Sequence, residues 1–207
     1  MRPQLSRLTP VKLLLLALIC LPVFACSSVD RQAALQRGPL QLPERVCLPL
    51  PADNPFPEPG DCGLNALWKV LHLLDPAWTA GALEPFRNPA GAAGTTDFEL
   101  AAMARRAGFN AQFGALERER LDALLRQGTP VILLIQRDLE YLLGRGHHWV
   151  VVYGYDRDED EYRVDWGQED LDEFVEADEL IKNWTRTGQR AVVVQNTGVN
   201  EDQGERP

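Results

Sequence analysis

The apolar positions change rhythm several times along the chain, and each change marks an element. From Asp61 onward Leu64, Leu67, Trp68, Leu71 and Leu74 recur at helical spacing until Pro76 ends the run, which predicts a helix capped by Asp61 with Cys62 in its first turn. After the loop LEPFRNPAGAAG, Thr96 and Glu99 have the spacing of a capping box, so a second helix should run to about Arg106 and stop at Gly108. NAQFGA reads as a short strand, LERERLDALLRQG as a helix with a glycine stop, and PVILLIQ as a buried strand. HWVVVYGYD is the strongest strand, and RDED turns it back into a partner strand, EYRVDWG. A helix around ADELIKNW and a strand AVVVQ complete the pattern. Helices dominate the first half and antiparallel strands the second, which is the signature of an α+β domain.

The flanks are different. Five prolines between residues 49 and 59 make LPLPADNPFPEPG extended and unable to join a helix or a central strand. Residues 26–46 are polar and mixed, as a tether should be, and residues 196–207 contain too few apolar side chains to fold. The predicted domain is therefore 47–195. Residues 1–25 read as a processing signal: Arg2, Arg7 and Lys12 precede the apolar run LLLLALICLPVFA, which is too short for a comfortable membrane span. VFAC resembles a lipobox, which implies acylation of Cys26 and attachment of the chain to a membrane surface through lipid (palmitate-type acyl chains). Ser27 stands where a retention signal places Asp, which favours the outer membrane, facing the periplasm.

Charge narrows the partners. The whole chain carries a formal charge of −9; the signal holds three of its 21 basic residues and none of its 30 acidic ones, so its removal leaves −12. Such a chain is a poor ligand for nucleic acid. It has four cysteines, of which Cys20 departs with the signal and Cys26 is the lipidation site. Cys47 and Cys62 remain, and a disulfide between them would close a loop of about fifteen residues, contributing about 3 kcal/mol before the prolines are considered.

Cys62 has the position of a nucleophile, because a helix amino terminus stabilises a thiolate. The chain has three histidines. His72 is ten residues along the same helix, about 15 Å away at 1.5 Å per residue, and cannot pair with it. His147 and His148 open the strong strand, with side chains on opposite faces, so they make a poor metal site. The hairpin can return Asp165 beside His148, where a carboxylate would orient the ring. From these residues alone Cys62 remains open between thiolate, disulfide partner and small core side chain. DRDEDE resembles a calcium loop in composition only and reads as a solvated turn. Trp149 and Trp166 flank the supposed site and are candidates to line a cleft.

DCG opening an apolar helix, GTTDFELAAMARRAGFNA, PVILLI, HWVVVYGYD and VDWG, in that order, resemble the papain-like cysteine peptidases that process bacteriocin leaders after a double glycine. The resemblance spans about residues 55–195. It implies a papain-like α+β fold, in which an amino-terminal helix carrying Cys packs on an antiparallel sheet carrying His and Asp. It also implies a catalytic triad of Cys62, His148 and Asp165 and no cofactor or metal. The expected protein is then a lipid-anchored cysteine peptidase of the cell envelope. It would act on a peptide or protein substrate, beside separate export or assembly machinery. Two departures stand out. Leu64 follows DCG where the family commonly has Pro, and Phe56 occupies the place of the oxyanion-hole glutamine. Asn54 is the only side-chain amide between Cys47 and Cys62 and is the candidate substitute. The departure at Phe56 also keeps open a non-catalytic peptide-binding member of the family, and an acyl transferase on the same scaffold is a third reading.

Overall fold

The computed structural model describes residues 44–56, 58, 60–87, 94–137, 146–167 and 172–197. The signal, Cys26 and nearly all of the expected tether and tail lie outside the described residues. The described part belongs to one compact unit, 43–207. Its elements, in order, are β1 (Arg45–Cys47), α1 (Cys62–Leu74), two 3-10 turns (Ala80–Ala82 and Glu84–Phe86), α2 (Asp97–Arg106), β2 (Asn110–Ala115), α3 (Arg118–Arg126), β3 (Val131–Ile135), β4 (His148–Asp156), β5 (Glu161–Asp165), β6 (Asp172–Glu176), α4 (Ala177–Thr185) and β7 (Arg190–Gln195).

The strands form one antiparallel sheet in the order β2-β7-β3-β4-β5-β6, with β1 also paired to β4. Side-chain alternation gives this sheet two apolar faces, and each buries a pair of helices. Trp149, Val151 and Tyr153 of β4 join Ile132, Val192 and Val194 against Leu64, Leu67 and Leu71 of α1 and Leu100 and Ala104 of α2. Val150 and Val152, with Leu133, Val164 and Tyr162, pack against Leu121 and Leu125 of α3 and Leu180 and Trp184 of α4. The α+β architecture read from the sequence is thus a sheet sandwiched between two helix pairs.

Two strands escaped the periodicity. β1 uses Arg45 and Val46, which had been assigned to the tether, and pairs them with Asp156 and Tyr155. β6 is DEFVE, too short and too acidic to announce itself. At β1 the partner strand carries a bulge: Val152 opposes Val164, but Gly154 opposes Arg163, so Tyr153 is the extra residue. Gly154 fits there because a Cβ would lie 2.6 Å from the carbonyl oxygen of Val46.

Tyr162 and Val164 of β5 face α3 and α4, so alternation turns Asp165 to the other face, toward α1. The bulge sets the parity of β4 against this, so that Asp165 opposes Val151 and not Val152.

Candidate active site

α1 begins where the proline-rich segment ends, and its first residue is Cys62. Asp61 occupies the cap position, and its carbonyl accepts the N–H of Asn65 at 3.0 Å. Its carboxylate makes no capping bond, contrary to expectation; it accepts from Arg87 Nε at 2.8 Å instead. The first turn therefore keeps its positive end for Cys62, and the guanidinium offsets the acid that precedes it in the chain. Gly63 lets the helix start lie against its neighbours: a Cβ there would be 3.0 Å from Trp149 Cδ1 and 3.1 Å from Thr95 Cβ. Trp149 in turn donates its indole N–H to the Thr95 carbonyl at 2.7 Å. This bond ties the segment before α2 to β4 beside the cysteine.

His148 is the first residue of β4, opposite Ile135 at the end of the β3 pairing, and its ring reaches Cys62. Burial pushes the Cys62 thiol up, but the hydrogen bond to His148, the charge on that ring and the main-chain N–H groups of Trp149 and Gly63 outweigh it, so the thiol pKa is lowered overall. Cys47 and Cys62 are both free thiols, not joined; Cys47 lies exposed on β1.

The far side of the imidazole differs from the expected triad. His148 Nε2 lies 2.7 Å from the main-chain carbonyl oxygen of Trp166. A carbonyl can only accept, so Nε2 carries the proton and Nδ1 is the nitrogen left to face the sulfur. Asp165, assigned to orient the ring, is committed elsewhere: Oδ1 accepts the Gly167 N–H at 2.7 Å, and Oδ2 is in a buried ion pair with Lys69 Nζ. The physical reason is parity: Asp165 alternates with Val164 and so faces α1, whereas His148 alternates with Trp149 and starts β4 on the parity of Val150 and Val152. Lys69 lies seven residues beyond Cys62, on the same helix face, and is 2% exposed. It was missed because a lysine in a helix reads as a solvated position; its only signal was a charge inside the apolar run LNALWKVLHLL.

Asn54, the candidate substitute for the oxyanion glutamine, is not among the residues that line the cleft at Cys62, and its buried Oδ1 has no hydrogen-bond partner. Phe56 is a core side chain, 1% exposed. Its main chain is clasped by Asn65, whose Oδ1 accepts from Phe56 N at 3.0 Å and whose Nδ2 donates to Phe56 O at 2.6 Å. The cleft measures about 750 Å³ and is bounded by Cys62, Gly94 to Asp97, Leu134, Gly146, His147, Trp149, Arg186, Thr187 and Arg190. His147, set aside from the sequence, thus lines the same cleft without joining the Cys62–His148 pair. Arg190 Nη2 and Nε both reach Oδ2 of the buried Asp97, at 2.6 and 2.9 Å, which braces α2 against β7 at the cleft wall. His72 is remote from this cleft, stacked on Trp68 and bonded to the Trp78 carbonyl.

A helix-borne cysteine set against a histidine at the head of an antiparallel sheet is the arrangement of papain-like cysteine peptidases, and the chain has their α+β fold. Among solved structures it is similar to a C39-like peptidase from Bacillus anthracis, with a TM-score of 0.58 and 17% identity over 74% of this chain and 98% of that one. It is also similar to a double glycine motif protease from an AMS/PCAT transporter, solved in complex with a leader peptide, with a TM-score of 0.52 and 21% identity over 73% of this chain and 95% of that one. No family model and no curated protein matches the sequence.

Proposed function

We propose that this protein is a cysteine peptidase in which Cys62 is the nucleophile and His148 the general acid and base. The observation that carries the proposal is the half-buried Cys62 thiol, held at a helix amino terminus, hydrogen-bonded to His148 and lining a cleft of about 750 Å³. Proton transfer from sulfur to Nδ1 gives the thiolate and imidazolium. The thiolate adds to the scissile carbonyl, and collapse of the tetrahedral adduct breaks the C–N bond as Nδ1 returns the proton to the leaving amine. Water, deprotonated by the same nitrogen, then releases the acid and restores the thiol. The main-chain N–H groups at the start of α1 are the natural partners of the oxyanion, since Phe56 offers no amide there. Asp165 shapes the turn that carries the Trp166 carbonyl and does not itself hold the ring.

Lipidation of Cys26 and an outer-membrane, periplasm-facing location belong to the same proposal and rest on the signal sequence. The substrate is then a peptide or protein segment of the envelope. Phe56 supports a second reading, a cleft that holds a peptide without cutting it, because loss of one oxyanion donor typically slows acyl transfer by about two to three orders of magnitude.

The test is incubation of the full chain with a library of peptides, with cleavage followed by mass spectrometry. The proposal expects cleavage that disappears in Cys62→Ala and His148→Gln. Peptides retained by the wild type and by Cys62→Ala alike, with no new termini, would support the binding reading instead.

A further inference from the structure

A buried ammonium is costly, and Lys69 sits where α1 otherwise presents Leu64, Leu67, Val70 and Leu71 to the core. An apolar residue at this place would pack at less cost, so the pair with Asp165 is poor evidence of a purely stabilising role. What it does connect is specific. Lys69 is two turns from Cys62 on one rigid helix, about 10 Å along its axis. Its partner carboxylate also takes the N–H of Gly167, and the residue between them, Trp166, presents its carbonyl to His148 Nε2. The chain of contacts therefore closes on itself: Cys62, α1, Lys69, Asp165, the turn at Trp166, His148 and back to Cys62.

We infer that Lys69 is a positioning residue for the Cys62–His148 pair: by holding Asp165 on the α1 side of the sheet it fixes the 165–167 turn, so that the Trp166 main-chain carbonyl, and not a carboxylate, orients His148. The inference rests on the proposed function for its catalytic meaning but not for its test. It assigns the two charges a joint task. The carbonyl supports the imidazolium through Nε2–H, while Lys69 keeps the neighbouring acid from displacing that carbonyl. Among the described residues, the charged and titratable groups around this unit include Cys62 and Lys69 on α1, Asp61 before α1 with its partner Arg87, Asp165 on β5, His147 before β4, and Arg137 after β3, whose guanidinium lies 4.9 Å from the centroid of the Trp166 ring.

The experiment reads thiol chemistry rather than peptide cleavage. Full-length wild type, Lys69→Arg and the double variant Lys69→Met with Asp165→Leu are alkylated with iodoacetamide between pH 5 and 9. The Cys62 and Cys47 peptides are quantified by mass spectrometry, and melting curves are recorded. Replacing both charges by apolar side chains keeps the core filled, so the double variant should melt cooperatively. Its Cys62 alkylation midpoint should rise by about one pH unit, which lowers the rate about tenfold at pH values below the wild-type midpoint, while Lys69→Arg stays within about threefold of wild type. A folded double variant that alkylates like the wild type would reduce the pair to a structural role and overturn the inference. Should the double variant fail to fold, Asp165→Asn decides. It keeps an acceptor for Gly167 and a polar partner for Lys69, so the carbonyl stays in place and Cys62 remains within about threefold of wild type. A loss far beyond threefold there would put the carboxylate on His148 and overturn the inference, since a directly orienting acid is worth up to about four orders of magnitude in rate. Normal alkylation with no peptide cleavage would count against the proposed peptidase alone.

Discussion

Gly63→Ala tests how tightly the cysteine is walled in. The new methyl group would meet Trp149 Cδ1 at 3.0 Å, Thr95 Cβ at 3.1 Å and Thr95 Oγ1 at 3.3 Å, so these neighbours must retreat by a few tenths of an ångström. Neither retreats alone. Trp149 is 3% exposed and donates to the Thr95 carbonyl, so indole and loop move together or lose that bond. Overpacking of this kind costs about 1–3 kcal/mol. Alanine also favours a helix over glycine by about 1 kcal/mol, less at a first turn, and this opposes the loss. The packing cost wins, leaving a net destabilisation of about 1 kcal/mol or somewhat more, which lowers the melting temperature by about 2–4 °C per kcal/mol for a domain of this size. The main-chain N–H of the same Trp149 is one of the contacts that lower the Cys62 pKa, so a retreat passed from the indole to the strand weakens it. Calorimetry and iodoacetamide alkylation at pH 7 should therefore both register the change, with lower melting and slower alkylation of Cys62. A variant that melts above wild type with Cys62 unchanged would show that helix propensity outweighs the contacts and that the wall is looser than described.

Other substitutions probe separate parts of the site. Phe56→Gln introduces the glutamine expected from the sequence resemblance, but here it puts an amide into an apolar core: a destabilisation of about 3 kcal/mol is expected in urea unfolding, with no gain in rate. A rise in rate would show that the position does reach the oxyanion. In Arg87→Met the carboxylate of Asp61, which precedes Cys62 in the chain, loses its guanidinium, so the thiol pKa should rise and alkylation at neutral pH should slow; an unchanged rate would show that the acid is screened by other means. Thr96→Ala removes the capping box of α2, in which Thr96 and Glu99 satisfy each other's main-chain N–H, and should cost about 1 kcal/mol in thermal unfolding without altering Cys62 reactivity.

The helices were legible because each buries one face against the sheet, and the central strands because both of their faces are covered, which makes VILLI and HWVVV continuous apolar runs. Leu64, Leu67 and Leu71 face the sheet, and Val150 and Val152 face the opposite side from Trp149 and Val151, so the spacing of apolar residues carried the geometry. Cys62 and His148 were legible for the same reason, each being fixed by the first residue of a strongly patterned element. The acid was harder. Whether Asp165 faces His148 or Lys69 depends on the parity of one hairpin, and a single bulged residue, Tyr153, reverses it. The Trp166 carbonyl carries no sequence signature at all, since every residue has one. Asp61 was placed correctly at the start of α1, yet its carboxylate was claimed by Arg87, 26 residues away, which local capping rules cannot foresee.

Activation of Cys62 by its contact with His148 can be read against a reference thiol in the same chain, Cys47. In one molecule at pH 6, with trace iodoacetamide, the lowered pKa gives Cys62 a larger thiolate fraction than an ordinary thiol has. Cys62 should therefore be alkylated faster than the exposed Cys47, and His148→Gln should reverse the order, because burial then acts on Cys62 without the imidazole to oppose it. Equal labelling of the two cysteines in wild type, or the same preference for Cys62 after His148→Gln, would contradict the account.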